Sequence, residues 1–202
     1  MKTALTLIAL VGFTPVAPAG IIVETYGAAA PPGAVDGWPM GPRSPYRDDL
    51  FADVTSTPDG DAGEITFSTP VSIRAIGAGW ATWSHGYTGN VFYTNGATSI
   101  TLGLSDIHAF QFYAEPSPFG VFQMTATGSD GTTAVSSQQF PDGDSGATGW
   151  GFCSWDAHVV SIRVSSDVDF AVGEFRIGYL NPPAPATLGV LGLGGLIAGR
   201  RR

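Results

Sequence analysis

Lysine is nearly missing from this chain: among 202 residues it occurs once, at Lys2. Nine basic residues face 17 acidic ones, for a formal net charge of −8. Lys2, Arg200, Arg201 and Arg202 stand at the extreme ends, so five arginines accompany all 17 acids in the stretch between them. A nucleic acid needs clustered Lys and Arg to displace its counterions. No segment offers such a patch, which excludes nucleic acid as a partner. Cysteine is equally scarce. Cys153 stands alone, which excludes an internal disulfide framework and Cys-x-x-Cys zinc spacings, and leaves it the role of a small buried hydrophobe. Charged residues make up 13 % of the chain, about half the usual ~25 %. No unbroken apolar run reaches the ~20 residues of a membrane-spanning helix, so a polytopic membrane protein is excluded. Neither a Gly-x-Ser-x-Gly elbow nor a His-Glu-x-x-His helix motif occurs.

Glycine and proline are abundant, at 28 and 15 residues, while hydrophobic residues still reach 44 %. The chain can therefore bury a core, and its punctuation favours strands and turns over helices. From Glu64 onward, short apolar runs recur roughly every ten residues, separated by Gly, Asn, Asp and Pro. Asn95-Gly96 lies between the runs Val91–Thr94 and Thr98–Leu104. Two consecutive positive-φ positions suit a type I′ turn, so this pair predicts a hairpin. Gly128–Gly131 predicts a second, and Phe122, Met124 and Ala126 alternate with polar neighbours, as a strand with one buried face requires. The spacing predicts an all-β domain, an antiparallel two-sheet β-sandwich of jelly-roll or immunoglobulin-like type over residues 64–180. A Gly/Pro-rich lead-in over residues 20–63 reads as a long loop or capping meander. Arg43 and Arg47 there lie beside Asp48, Asp49 and Asp53, which predicts local surface pairing.

The two ends read as addresses. Residues 1–19 combine Lys2, the apolar run Ala4–Phe13 and Ala17-Pro18-Ala19, the layout of a secretory signal peptide cleaved before Gly20 by signal peptidase. Residues 181–202 run from Asn181 through Pro183-Ala184-Pro185 and a charge-free Gly/Leu segment to Arg200-Arg201-Arg202. As a short apolar helix, Ala186–Gly199 would span about 21 Å against a bilayer core of ~30 Å, a marginal and transient membrane association. The basic tail would stay on the cytoplasmic side. This segment resembles the PEP-CTERM sorting signal, with Ala184 where that motif carries Glu, a Pro-Ala-Pro variant. The resemblance implies processing by an exosortase-like transpeptidase in a Gram-negative bacterium that makes exopolysaccharide, and delivery to the cell surface or extracellular matrix. Residues 107–177 are also similar to the body domain that often precedes this signal. The likeness rests on Phe110–Tyr113, Ser129–Thr132, Gly149–Phe152 and Val168–Phe175; such domains mostly have no assigned activity.

Candidate chemistry is sparse. Pro-Asp-Gly-Asp-x-Gly occurs at Pro58–Gly63 and Pro141–Gly146. Asp142 and Asp144 are weak Ca²⁺ candidates, since a hard cation wants several oxygens, but no EF-hand Glu follows. The same residues make ordinary turns, which is the stronger reading, so no cofactor is expected. Trp80, Trp83, His85 and Tyr87 are weak candidates for a sugar-stacking platform, against the alternative of core packing. Ser154, Asp156 and His158 would share one exposed strand face without a defined oxyanion site. Cys153 with His158 is a nucleophile–base pair in spacing only. Asp167, Asp169 and Glu174 are the carboxylates to weigh for glycoside hydrolysis, and a solvated strand edge explains them more simply. The expectation is a non-catalytic surface or matrix protein with a structural or adhesive role linked to exopolysaccharide. The alternatives are a secreted carbohydrate-active enzyme and a Ca²⁺-dependent lectin-like module.

Overall fold

A computed structural model of the protein describes residues 20–43, 47–57 and 64–178. The expected signal peptide with Ala17 and Ala19, the first Pro-Asp-Gly-Asp motif, and the expected sorting segment with Pro183, Ala184, Pro185 and its three arginines lie outside the described residues. So does the expected C-terminal apolar helix. Among the described residues there are fourteen strands and no helix long and apolar enough to cross a membrane.

The strands are β1 Ile21–Gly27, β2 Ala34–Val35, β3 Trp38–Pro39, β4 Asp53–Ser56, β5 Thr66–Ile76, β6 Gly79–Trp80, β7 Asn90–Tyr93, β8 Ser99–Ile107, β9 Ala109–Pro116, β10 Met124–Ser129, β11 Ala134–Gln139, β12 Thr148–Ser154, β13 Val159–Ser166 and β14 Phe170–Gly178. Twelve form one sheet in the order β1-β12-β9-β14-β7-β5-β8-β13-β10-β11, with β4 and β6 also on β5, while β2 and β3 pair separately. The pairings are antiparallel except the short parallel β5–β6 contact. The all-β antiparallel expectation holds, and the hydrogen-bonded path is continuous rather than broken into two sheets. Its ends meet. The Gln139 side chain on β11 accepts from the Gly27 amide (3.1 Å) and donates to the Gly149 carbonyl (2.8 Å), stitching β11 to β1 and β12 into a nearly closed, barrel-like sheet.

The lead-in is not separate from this body. β1 pairs along β12, from Ile21 opposite Ser154 to Gly27 opposite Gly149, and β4 pairs with β5. Ile21 and Val23 pack on the core, which a capping meander would not require.

The two turn predictions fare differently. β10 and β11 form the expected hairpin, Met124 opposite Gln139 and Ser129 opposite Ala134. The Asp130 carboxylate accepts from both the amide and the hydroxyl of Thr132 and of Thr133, which holds its pKa well below the usual carboxylate range. Asn95 and Gly96 do adopt positive φ, +53° and +88°, but β7 and β8 do not pair with each other. Tyr93 lies opposite Ser72 and Leu102 opposite Phe67. Both strands therefore run the same way along one side of β5, whose other side is taken by β4. The chain advances nine residues while β5 retreats five, so the turn absorbs four as a jog, not a reversal. The long β5, extended through Pro70, offers a better partner to each half than they offer one another.

The core is an aromatic column. Phe67 meets Phe92 (5.1 Å between centroids), Phe92 stacks on Phe175 (5.4 Å), and Phe175 meets Phe110 (5.7 Å). Phe110 stacks on Phe112 (5.9 Å), which stacks in turn on Trp150 (5.4 Å). Gly128 makes room for this column, because a Cβ there would sit 2.4 Å from the Phe152 ring. Phe112 touches three of these rings and is fully buried. Phe112→Ala is expected to lower unfolding free energy by about 3–5 kcal/mol in denaturant titration; a loss under ~1 kcal/mol contradicts the central place given to this ring.

Candidate functional site

Every residue of β9 from Ala109 to Pro116 is buried. Alternation sends Phe110, Phe112 and Ala114 into the barrel core and Gln111, Tyr113 and Glu115 to the opposite face. That outer face is polar, so the segments laid over it must supply hydrogen-bond partners. Residues 77–89 do much of this. Trp80 Nε1 donates to Glu115 Oε2 (2.6 Å), Thr82 Oγ1 donates to Glu115 Oε1 (3.2 Å), and Tyr113 Oη donates to the Ala29 carbonyl (2.6 Å).

Beside Glu115 opens a pocket of about 360 Å³, lined by Arg74, Gly79, Trp80, Ala81, Thr82, Tyr93, Ser117, Phe119 and Gly143. That volume lies within the ~300–1,000 Å³ typical of small-molecule sites. Three aromatic rings contribute, and Phe119 is 69 % exposed. Arg74 lies over the faces of Phe51 (4.7 Å) and Tyr93 (5.8 Å). The Tyr93 hydroxyl donates to Asp169 in a short hydrogen bond. Gly143 closes one wall against the Pro116 and Pro118 carbonyls, where any Cβ would collide with backbone. Glu115 itself has no accessible surface. Burial pushes its pKa up to about 7, against the opposing hydrogen bonds from Trp80 and Thr82.

A second polar cluster lies on β14. Glu174 sits in a β-bulge, between Gly173 opposite Tyr113 and Arg176 opposite Gln111, with φ +56°. The bulge re-aims this side chain out of the strand's alternation. Its Oε2 lies 2.8 Å from His85 Nε2, and His85 Nδ1 lies 2.8 Å from Ser84 Oγ. Arg43 Nη2 lies 2.7 Å from Oε1, close but poorly aligned for a hydrogen bond. The serine–histidine–carboxylate order resembles a nucleophile relay, but Ser84 is only 2 % exposed and offers no approach to a substrate. The cluster holds residues 77–89 and Arg43 onto β14.

The expected site residues are split by this arrangement. Trp80 alone of the aromatic candidates lines the pocket. Trp83 is buried against Tyr87 (6.1 Å between centroids), the Tyr87 hydroxyl donates to the Asn90 carbonyl (2.9 Å), and His85 is turned to Glu174. Residues 81–89 are not a strand, so the shared face expected of Trp83, His85 and Tyr87 does not form. Asp142 Oδ1 accepts from the Asp144 amide (3.1 Å) and the Asp142 carbonyl from the Gly146 amide (3.0 Å), the turn chemistry read in that motif. Among the described residues no three His, Cys, Asp or Glu converge to hold a metal. Ser154 is fully buried and donates to Asp156 (3.0 Å), while His158 faces His108 (3.1 Å), so the three do not share an exposed face. Burial pushes the Cys153 thiol up to about 12, leaving it unreactive. Glu174 is no solvated edge residue, and Arg43 pairs with it instead of the neighbouring aspartates, whereas Arg47 does pair locally with Asp49 (2.5 Å). Gly20, at the expected cleavage point, donates its amide to Asp156 (3.2 Å).

Arg74, Tyr93 and Phe119 in the pocket wall, and Glu115 buried behind it, are residues that sequence reading missed. Glu115 had a signal: one acid ending the aromatic-rich run Ala109–Ala114 just before Pro116. Its raised pKa fixes a sign. Between the ordinary carboxylate value of 4.5 and about 7, the folded protein keeps a proton that the unfolded chain has released. That contribution is full below the lower value and is lost as pH rises through the upper one. The melting temperature of Glu115→Gln relative to the native chain is therefore expected to rise from about pH 5 to about pH 8; a difference that stays flat with pH refutes it. Set against profiles of known protein families and against curated proteins, the chain matches none.

Proposed function

We propose that this chain is an exported, non-catalytic saccharide-binding protein of a bacterial surface or matrix, and that the Trp80–Tyr93–Phe119 pocket seats the sugar. The observation that carries the reading is the pocket's composition: three rings around a concave wall, with Trp80 Nε1 turned to Glu115 behind it and Thr82 Oγ1 shared among Glu115, the Gly143 carbonyl and the Ser145 amide. Flat rings suit the apolar faces of sugars, and the flanking Arg74 and Ser117 supply polar edges. Exposed Phe119 and Val121 run beside Pro141–Gly143, extending the apolar rim. Delivery follows the sequence: signal peptidase at Ala17–Gly20, then an exosortase-like enzyme at the PEP-CTERM-like tail, with exopolysaccharide as the partner outside the cell. In architecture we read the nearly closed sheet as a flattened sandwich of jelly-roll or immunoglobulin-like kind, because β5 serves β7 with one half and β8 with the other.

Glycoside hydrolysis is the weaker reading. A retaining or inverting pair needs two carboxyl groups facing the scissile bond, whereas Glu115 has both oxygens engaged and no accessible surface, and Asp169 holds the Tyr93 hydroxyl. A Ca²⁺-dependent lectin is weaker still, with Asp142 engaged in its own turn.

Two measurements test the proposal. Titration with oligosaccharides from an acidic exopolysaccharide should quench tryptophan fluorescence, and Trp80→Ala should weaken binding by about tenfold or more; unchanged affinity in a folded Trp80→Ala protein rejects the pocket. Deleting Leu188–Arg202 should release the protein from the cell fraction into the medium. Retention equal to the full chain rejects the sorting role of the tail.

A further inference from the structure

Resting on the saccharide reading above, we infer that the sugar this pocket accepts is an acidic one, a uronate unit whose carboxylate is held by Arg74. Arg43 and Arg47 each have a carboxylate partner. Among the described residues Arg74 makes no ion pair, and the hydrogen bond of its guanidinium is a long one (3.4 Å) from Nη1 to the neighbouring Ile73 carbonyl. Arg163 and Arg176 likewise make no ion pair among the described residues; what sets Arg74 apart is its place, since it alone of the three lines the pocket, with its guanidinium over two aromatic rings.

The way Arg74 is held supports a binding role. Its Cζ lies over the Phe51 and Tyr93 rings, cation–π contacts that use none of its N–H donors. Those contacts restrict where the guanidinium sits, and a planar fork so placed suits bidentate carboxylate recognition. Gly79 permits the arrangement. It has φ +89°, and a Cβ there would lie 2.5 Å from Arg74 Cδ and 2.7 Å from the Phe51 ring.

The negative groups nearby are placed so that they do not pre-empt the site. Glu115 lies behind Trp80 and Thr82, and Asp169 is occupied by Tyr93. A carboxylate on Arg74 would leave its sugar ring beside Trp80 and Phe119, so charge and stacking act on one residue of the polymer. Nucleic acid remains excluded, because one guanidinium cannot replace the counterions of a phosphate backbone.

The test is calorimetric titration of the intact protein with trigalacturonate and with its carboxyl-reduced, neutral counterpart. The native protein should prefer the uronate by about tenfold or more. Arg74→Gln should bring that ratio to about one, and Arg74→Lys, which keeps the charge but not the planar fork, should leave an intermediate ratio. Gly79→Ala, with Arg74 intact but displaced, should also lower it. Equal native affinity for the two trisaccharides overturns the carboxylate inference while leaving saccharide binding in place. Binding of neither overturns both. A short peptide with a free C-terminal carboxylate that binds as tightly as the uronate would show that Arg74 serves a peptide, which overturns the sugar assignment. If a variant melts far below the native protein, the native ratio alone decides.

Discussion

A strand buried on both faces is the constraint from which the rest of this molecule follows. β9 commits Phe110 and Phe112 to the aromatic column and must then cover Gln111, Tyr113 and Glu115 on its other side. An uncovered carboxylate on an edge would be solvated and unremarkable; a covered one demands donors. Trp80 and Thr82 meet that demand for Glu115, and for Glu174 on the adjacent strand His85 faces one oxygen while the Arg43 charge lies beside the other. The segment between β6 and β7 is thus pinned at two carboxylates. Where it leaves the sheet surface between Trp80 and the Phe119 loop, the cleft opens. The pocket is a by-product of satisfying buried polar groups.

The two carboxylates are handled by different physics. Glu174 has cationic and imidazole neighbours and a bulge that delivers it to them. Glu115 has only neutral donors, so burial dominates and its proton is held to near-neutral pH. Arg74 is their complement, a cation with no acid of its own but with its position restricted by rings. The proposed acidic ligand would have to be held at that one point, because the general field of an acid-rich chain opposes its approach.

Much of the sheet was legible from periodicity. Alternation over Met124–Thr127 and the Gly-Ser-Asp-Gly turn gave the β10–β11 hairpin directly, since both partners are consecutive and local. The Asn95-Gly96 turn was legible as backbone geometry and not as topology. Positive φ at two positions is a local property, but which strand lies alongside depends on the long-range competitor β5. β1 was hidden by the Gly/Pro composition around it, although Ile21 and Val23 carry the inward pattern. The pocket was the least legible part, because Arg74, Trp80, Tyr93 and Phe119 come from separate segments and none sits in a motif. Trp80 was found for its ring, while Trp83, His85 and Tyr87 were grouped with it by adjacency in a stretch that is not extended.

Gln139 also has a consequence for the exposed edge of the sheet. β11 reads Ala-Val-Ser-Ser-Gln-Gln, without the lysine or proline that natural edge strands use to deter pairing with a neighbour. A lysine-poor chain has few gatekeepers to place there. By handing its side-chain amide across to Gly27 and Gly149, Gln139 occupies the seam that another molecule's strand would otherwise join. Covering that end of the edge with a side-chain amide serves in place of electrostatic deterrence against strand addition there.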